Sequence, residues 1–199
     1  MTKSWWKILA TILVLYSIIG GLLINVPALP ILNETIRNLY FHVPMWFSML
    51  ALYLISVIYS IKYLSTGSTN HDLIAVESVN TGVIFCFLGL ASGMLWANIT
   101  WGEPWPNDPK LNSSAISTLM YLAYLVLRNS IEEEQKRGKI SAIYNIFAFP
   151  VMIVLLFIGG LILFALGIVG EYLIRIINGI ENRPSYLIRE TKDNNGKRN

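Results

Sequence analysis

The chain has 199 residues, 54% of them hydrophobic and only 14% charged, with a formal net charge of +3. A water-soluble domain carries roughly 25% charged residues, so the composition excludes that class. The single cysteine, Cys86, excludes an intramolecular disulfide; it lies inside an apolar block and reads as a small buried hydrophobe.

The apolar residues are grouped in blocks, several near or above the ~18 residues that mark a transmembrane helix. The expected fold class is therefore all-α, a polytopic transmembrane helical bundle with five or six spans. The first block covers residues 5–26. Lys3 and Lys7 flank its start, and Trp5 and Trp6 suit the interfacial aromatic belt. A cleaved signal peptide also begins with a basic stretch, but Asn25-Val26-Pro27 is a poor cleavage site, so the block reads as a retained anchor. Asn33-Glu34-Thr35 has the form of an N-cap with an acidic first turn. A short interfacial helix over 35–40 then leads into a second span over 43–63, with Pro44 in its first turn.

Residues 65–70 are polar and read as a flexible connection. A third span, from residue 73 or 79 to 97, has Glu77 near its start; an ionisable group there is either functional or within reach of water. A polar loop over 99–113 separates it from a shorter fourth span at 114–127. The connection at 128–139 contains Glu132-Glu133-Glu134, a solvated helix face or cap with no histidine nearby. The apolar run at 143–177 is more than one crossing needs and barely enough for two, hence five spans or six. Residues 181–199 form a basic juxtamembrane tail suited to anionic lipid headgroups, too short to suggest a nucleic-acid partner.

Lysine and arginine positions set the expected orientation. With the N-terminus in the cytoplasm, Lys3, Lys7, Lys62, Arg128, Lys136, Arg137 and Lys139 fall inside, and Arg37 and Lys110 fall outside. The same orientation places Phe41-His42-Val43-Pro44 on the outer face with the loop Trp101-Gly102-Glu103-Pro104-Trp105-Pro106-Asn107-Asp108-Pro109-Lys110. A flat aromatic surface beside an imidazole suits a flat, iron-bearing ligand, which points to haem. No C-x-x-C-H sequence for covalent haem attachment is present. Nor does anything resemble a nucleophile–base pair, a nucleotide loop or a structural zinc site, so the reading is binding and hand-over, not enzymatic catalysis.

Several stretches together resemble the CcmC-type haem-handling proteins of cytochrome c biogenesis. They are residues 30–46, Ala75-Val76-Glu77, Met94-Leu95-Trp96-Ala97, the Trp101-Gly102, Trp105 and Asp108-Pro109-Lys110 loop, and residues 141–149. The resemblance implies a multi-pass protein of the bacterial inner membrane whose tryptophan-rich WWD loop presents transiently bound haem b on the periplasmic side. It also implies two partners, an ABC transporter and a periplasmic haem chaperone. Family members carry axial histidines on both sides of the loop, and His42 occupies the first position. The other histidine, His71, precedes the loop, and none follows it.

On this reading His42 ligates haem iron through one nitrogen and is oriented by a hydrogen bond at the other. Trp101 and Trp105 pack against the porphyrin or, alternatively, anchor the belt, as Trp5, Trp6, Trp46 and Trp96 are expected to do. Asp108 shapes the loop by turn or cap hydrogen bonds. Arg37 and Lys110 pair with the propionates or with lipid phosphates. The implied organisation is a haem-handling domain over 1–152 with its loop at 99–113, an apolar membrane segment at 153–180, and the tail. Residues 166–176 and 182–190 resemble the membrane end of family 2 polyprenyl-phosphate glycosyltransferases. The alternatives to haem delivery are therefore a membrane scaffold that binds no haem and an accessory protein of lipid-linked glycan assembly.

Overall fold

The computed structural model describes residues 4–27 and 32–181. The chain divides into two compact units, Met1–Gly160 and Leu161–Asn199. Five long helices carry the described residues: α1 (Trp5–Leu23), α2 (Leu39–Thr66), α3 (Thr69–Trp101), α4 (Pro109–Asn129) and α5 (Glu134–Glu181), with a 3-10 turn at Glu34–Asn38 before α2. No β-strand occurs among the described residues. All of these helices except α4 are long and apolar enough to cross a membrane. With its 21 residues, α4 has the length but is more polar. This is the all-α membrane architecture that the apolar blocks predict.

Boundaries differ from the expected ones where capping chemistry outweighs hydropathy. The connection between α2 and α3 is Gly67-Ser68 alone, not a flexible stretch over 65–70. Gly67 ends α2 in the left-handed conformation (φ 66°), and its N–H donates to the Tyr63 carbonyl at 2.8 Å. Gly102 ends α3 in the same way (φ 84°), donating to the Asn98 carbonyl at 3.0 Å. The loop set aside at 99–113 is thus reduced to residues 102–108, with Trp101 as the last residue of α3. Pro44 lies inside α2 and not in its first turn, because the 3-10 turn runs straight into the helix. Asn33 holds the N-cap position of that turn without the expected side-chain bond. The run at 143–177 is one helix, not two short ones, although Pro150 lies within it.

The core of the first unit is built on α2 and α3, with α4 and the first part of α5 against them. Met49, Tyr53, Val79, Cys86, Tyr121, Tyr124 and Met152 form its fully covered centre. Tyr53 and Tyr121 stack with ring centroids 3.6 Å apart. Several polar groups here are satisfied within the protein, as hydrocarbon requires, whereas the Tyr53 and Tyr121 hydroxyls, Ser141 Oγ and Asn145 Oδ1 have no hydrogen-bond partner among the described residues. Asn145 Nδ2 donates to Ser56 Oγ at 2.6 Å and Ser60 Oγ at 3.0 Å, and Ser56 Oγ donates to the Ala75 carbonyl at 2.7 Å. Along α4, Ser113, Ser114, Ser117 and Thr118 return their hydroxyl protons to the carbonyl one turn earlier. Cys86 is buried with Sγ 3.1 Å from Thr118 Oγ1, the inert setting expected of it. In the second unit, α5 carries an exposed Arg175–Glu171 pair at 2.9 Å. The tail's lipid reading and its glycosyltransferase-like stretch from 182 on lie outside the described residues.

Candidate functional site

The site is set by the register of α2 against α3. His42, Trp46 and Tyr53 on α2 lie over Gly93, Gly89 and Gly82 on α3. A Cβ at Gly93 would stand 3.0 Å from His42 Cε1, and one at Gly89 3.1 Å from Trp46 Cε2. At Gly82 it would stand 2.5 Å from Tyr53 Cε1. Glycine is needed at these positions for space, since real Cβ atoms rarely come so close. The result is an aromatic seam with an imidazole at one end.

Both ring nitrogens of His42 are engaged. Nδ1 is 3.0 Å from Ser92 Oγ, and Ser92 Oγ donates its proton to the Gly89 carbonyl at 3.0 Å. Ser92 Oγ can thus accept a proton carried by Nδ1. Nε2 accepts the indole N–H of Trp46 at 3.1 Å; an indole N–H only donates, so this bond fits the same tautomer. Trp96 presents an edge to the imidazole, with centroids 6.1 Å apart and planes at 74°. Its own N–H donates to Thr35 Oγ1 at 3.1 Å, and Asn38 Nδ2 donates to the Ser92 carbonyl at 3.1 Å. The turn before α2 is thereby tied to the last part of α3.

A cavity of about 300 Å³ opens beside this seam, lined by His42, Trp46, Trp96, Trp101, Asp108 and Lys110 among others. Four of the six residues singled out from sequence, His42, Trp101, Asp108 and Lys110, thus share one cavity. Trp101 is 68% exposed. Trp105 stands outside the lining, with its N–H donating to Asn112 Oδ1 at 3.1 Å. Arg37 belongs to a neighbouring pocket, where Nη1 donates to the Ile24 carbonyl at 2.6 Å and the guanidinium pairs with Glu34 at 3.4 Å. Lys110 is exposed and, among the described residues, makes no ion pair. His71 lies in the first turn of α3, its Nδ1 2.9 Å from Thr66 Oγ1, at the other end of the α2–α3 pair from His42.

Asp108 is the N-cap of α4. Its Oδ1 accepts from the backbone N–H of Lys110 at 2.6 Å and Leu111 at 3.3 Å, with Pro109 in the first turn. Lys110, whose N–H the cap accepts, is one of the residues lining the cavity. Asp108→Ala should cost about 1 kcal/mol, read as a lower thermal midpoint in detergent; an unchanged midpoint would contradict the capping role.

Trp46 and Trp96, expected in the interfacial belt, both line the cavity, and both N–H groups have partners inside the protein. Ser92 and the three glycines are not among the residues expected from sequence. A readable signal was there: residues 42, 46 and 53 are spaced as Gly93, Gly89 and Gly82 are in reverse, the mark of antiparallel helices packed ring on glycine.

The CcmC family, described as heme exporter protein C, matches residues 1–158. The chain belongs to this family. Heme exporter protein C of Bradyrhizobium diazoefficiens is 30% identical over 118 residues, 57% of this chain and 43% of its own length. Heme exporter protein C of Rhodobacter capsulatus is 25% identical over 139 residues, 69% of this chain and 57% of its own length. A cytochrome c biogenesis protein CcsA of Prochlorococcus marinus is 40% identical over 76 residues, 38% of this chain and 24% of its own length. The chain thus spans well under two thirds of the length of these relatives. Family membership and the apolar helices together make it a multi-pass membrane protein.

The donor set suits a porphyrin-held iron better than a bare ion. Among the described residues no three His, Cys, Asp or Glu side chains come together to hold a metal. An iron already carrying four porphyrin nitrogens needs only an axial ligand, and His42 is the histidine that lines this cavity, with both ring nitrogens engaged inside the protein.

Proposed function

We propose that this CcmC-family chain binds haem b transiently at the outer face of the bacterial cytoplasmic membrane and hands it on for cytochrome c maturation. The observation that carries this reading is the shared cavity of His42, Trp101 and Lys110, with His42 already oriented through Nδ1 by Ser92. Haem is cargo here, so the chain binds and releases without making or breaking covalent bonds. His42 supplies the axial nitrogen and Trp101 covers the ring. Lys110 neutralises a propionate. Trp105 and Asp108 hold the loop in shape, and Arg37 meets the second propionate only by leaving Glu34. The partners would be an ABC transporter and a periplasmic haem chaperone, with the N-terminus in the cytoplasm.

The competing reading is a scaffold that keeps the fold without the ligand, with both His42 ring nitrogens held inside the protein. Replacing the chromosomal copy in the native host with His42→Ala separates the two. Haem delivery predicts at least a tenfold loss of mature cytochrome c at equal protein level in the membrane. Unchanged cytochrome c in the variant would leave the scaffold.

A further inference from the structure

We propose that Trp46 is a latch on the ligating nitrogen of His42: its indole N–H occupies Nε2, and cargo binding requires that bond to open. The inference rests on the haem reading above and concerns how tightly that site holds its cargo.

Only Nε2 has a lone pair to offer iron. Nδ1 carries the imidazole proton, because the Trp46 indole only donates and so makes Nε2 the acceptor, leaving Ser92 Oγ, 3.0 Å away, to accept from Nδ1. The Nε2 lone pair is taken by Trp46 Nε1–H at 3.1 Å. One nitrogen cannot accept the indole proton and bind iron with the same pair. The indole lies one helical turn after His42, directly over Gly89, and it lines the cavity, so it has an open side toward which it can turn. Proton bookkeeping is simple. Nδ1–H stays on Ser92, no proton leaves the imidazole, and the freed indole N–H passes to water or another acceptor. When cargo leaves, the indole closes on Nε2 again. The latch therefore lowers affinity by about the net worth of one hydrogen bond, roughly two- to tenfold, which suits a carrier that must let go.

A bracing role for Trp46 makes the opposite prediction, so the sign of the effect decides. Haem titrations followed at the Soret band should give Trp46→Phe a Kd roughly two- to tenfold lower than the parent, and slower transfer to apomyoglobin. Ser92→Ala, which removes the acceptor that fixes Nδ1–H, should move Kd the other way. Equal or weaker binding by Trp46→Phe, with His42→Ala still losing the histidine-ligated spectrum, overturns the latch and leaves the haem reading intact. A His42→Ala spectrum identical to the parent's overturns the haem reading itself.

A second measurement needs no variant. In the haem-free parent protein labelled with ¹⁵N-histidine, the latch predicts a His42 ring protonated at Nδ1, with Nε2 unprotonated and hydrogen-bonded. Protonation at Nε2 would overturn it.

Discussion

Arg128→Ala is expected to destabilise the protein by on the order of 3–5 kcal/mol, the cost of stranding one member of a buried ion pair. Arg128, in the last turn of α4, meets Asp72, in the first turn of α3, through two bonds. Nη1 donates to Oδ1 at 2.8 Å and Nη2 to Oδ2 at 2.5 Å. The two side chains are 9% and 13% exposed, so neither charge finds water when its partner is removed. The pair fastens α3 to α4 at one end of the bundle, while the cavity with His42 lies at the other. Arg128→Ala should therefore lower the unfolding midpoint in detergent steeply, and Asp72→Leu with Arg128→Met should regain most of the loss, because no charge is then left buried. A stability within about 0.5 kcal/mol of the parent in the single variant would show that the pair is solvated and contributes little.

Gly93→Leu should abolish ligation by His42 without unfolding the chain. Even a Cβ at this position would press to 3.0 Å from His42 Cε1, and the rest of a leucine side chain would need the space now held by the imidazole. Overpacking of this kind costs typically about 1–3 kcal/mol. Here the strain falls on the ligating ring, so haem affinity should drop by roughly ten- to a hundredfold. Gly167→Ala, with nothing within 4 Å of the added Cβ, is the matched control and should bind as the parent does. Binding by Gly93→Leu at parental strength, with helical content unchanged, would contradict the ring-on-glycine register.

Hydropathy was enough to read α1, α2, α3 and α5 as membrane helices, because a long apolar block has few other ways to satisfy its backbone in lipid. It was less able to place their ends, where single residues decide. Gly67 and Gly102 cap helices by adopting positive φ, and Pro109 with Asp108 starts α4 five residues before its apolar stretch. The candidate site divides along the same line. His42, Trp101, Asp108 and Lys110 were legible as neighbours because orientation put them on one side. Trp46, Trp96 and Ser92 were not, since what recruits them is side-chain geometry between helices, and a tryptophan near a helix end has an interfacial explanation close at hand. Asp72 escaped notice for a related reason: its partner lies 56 residues away along the chain, and only the antiparallel packing brings the two together.

The most direct measurement is the visible absorption spectrum of the detergent-purified protein titrated with haem, beside His42→Ala. A haem site at His42 predicts a saturable Soret band for the parent and a shifted or missing band for the variant. Identical spectra, or no saturable binding in either protein, would contradict a haem site at His42.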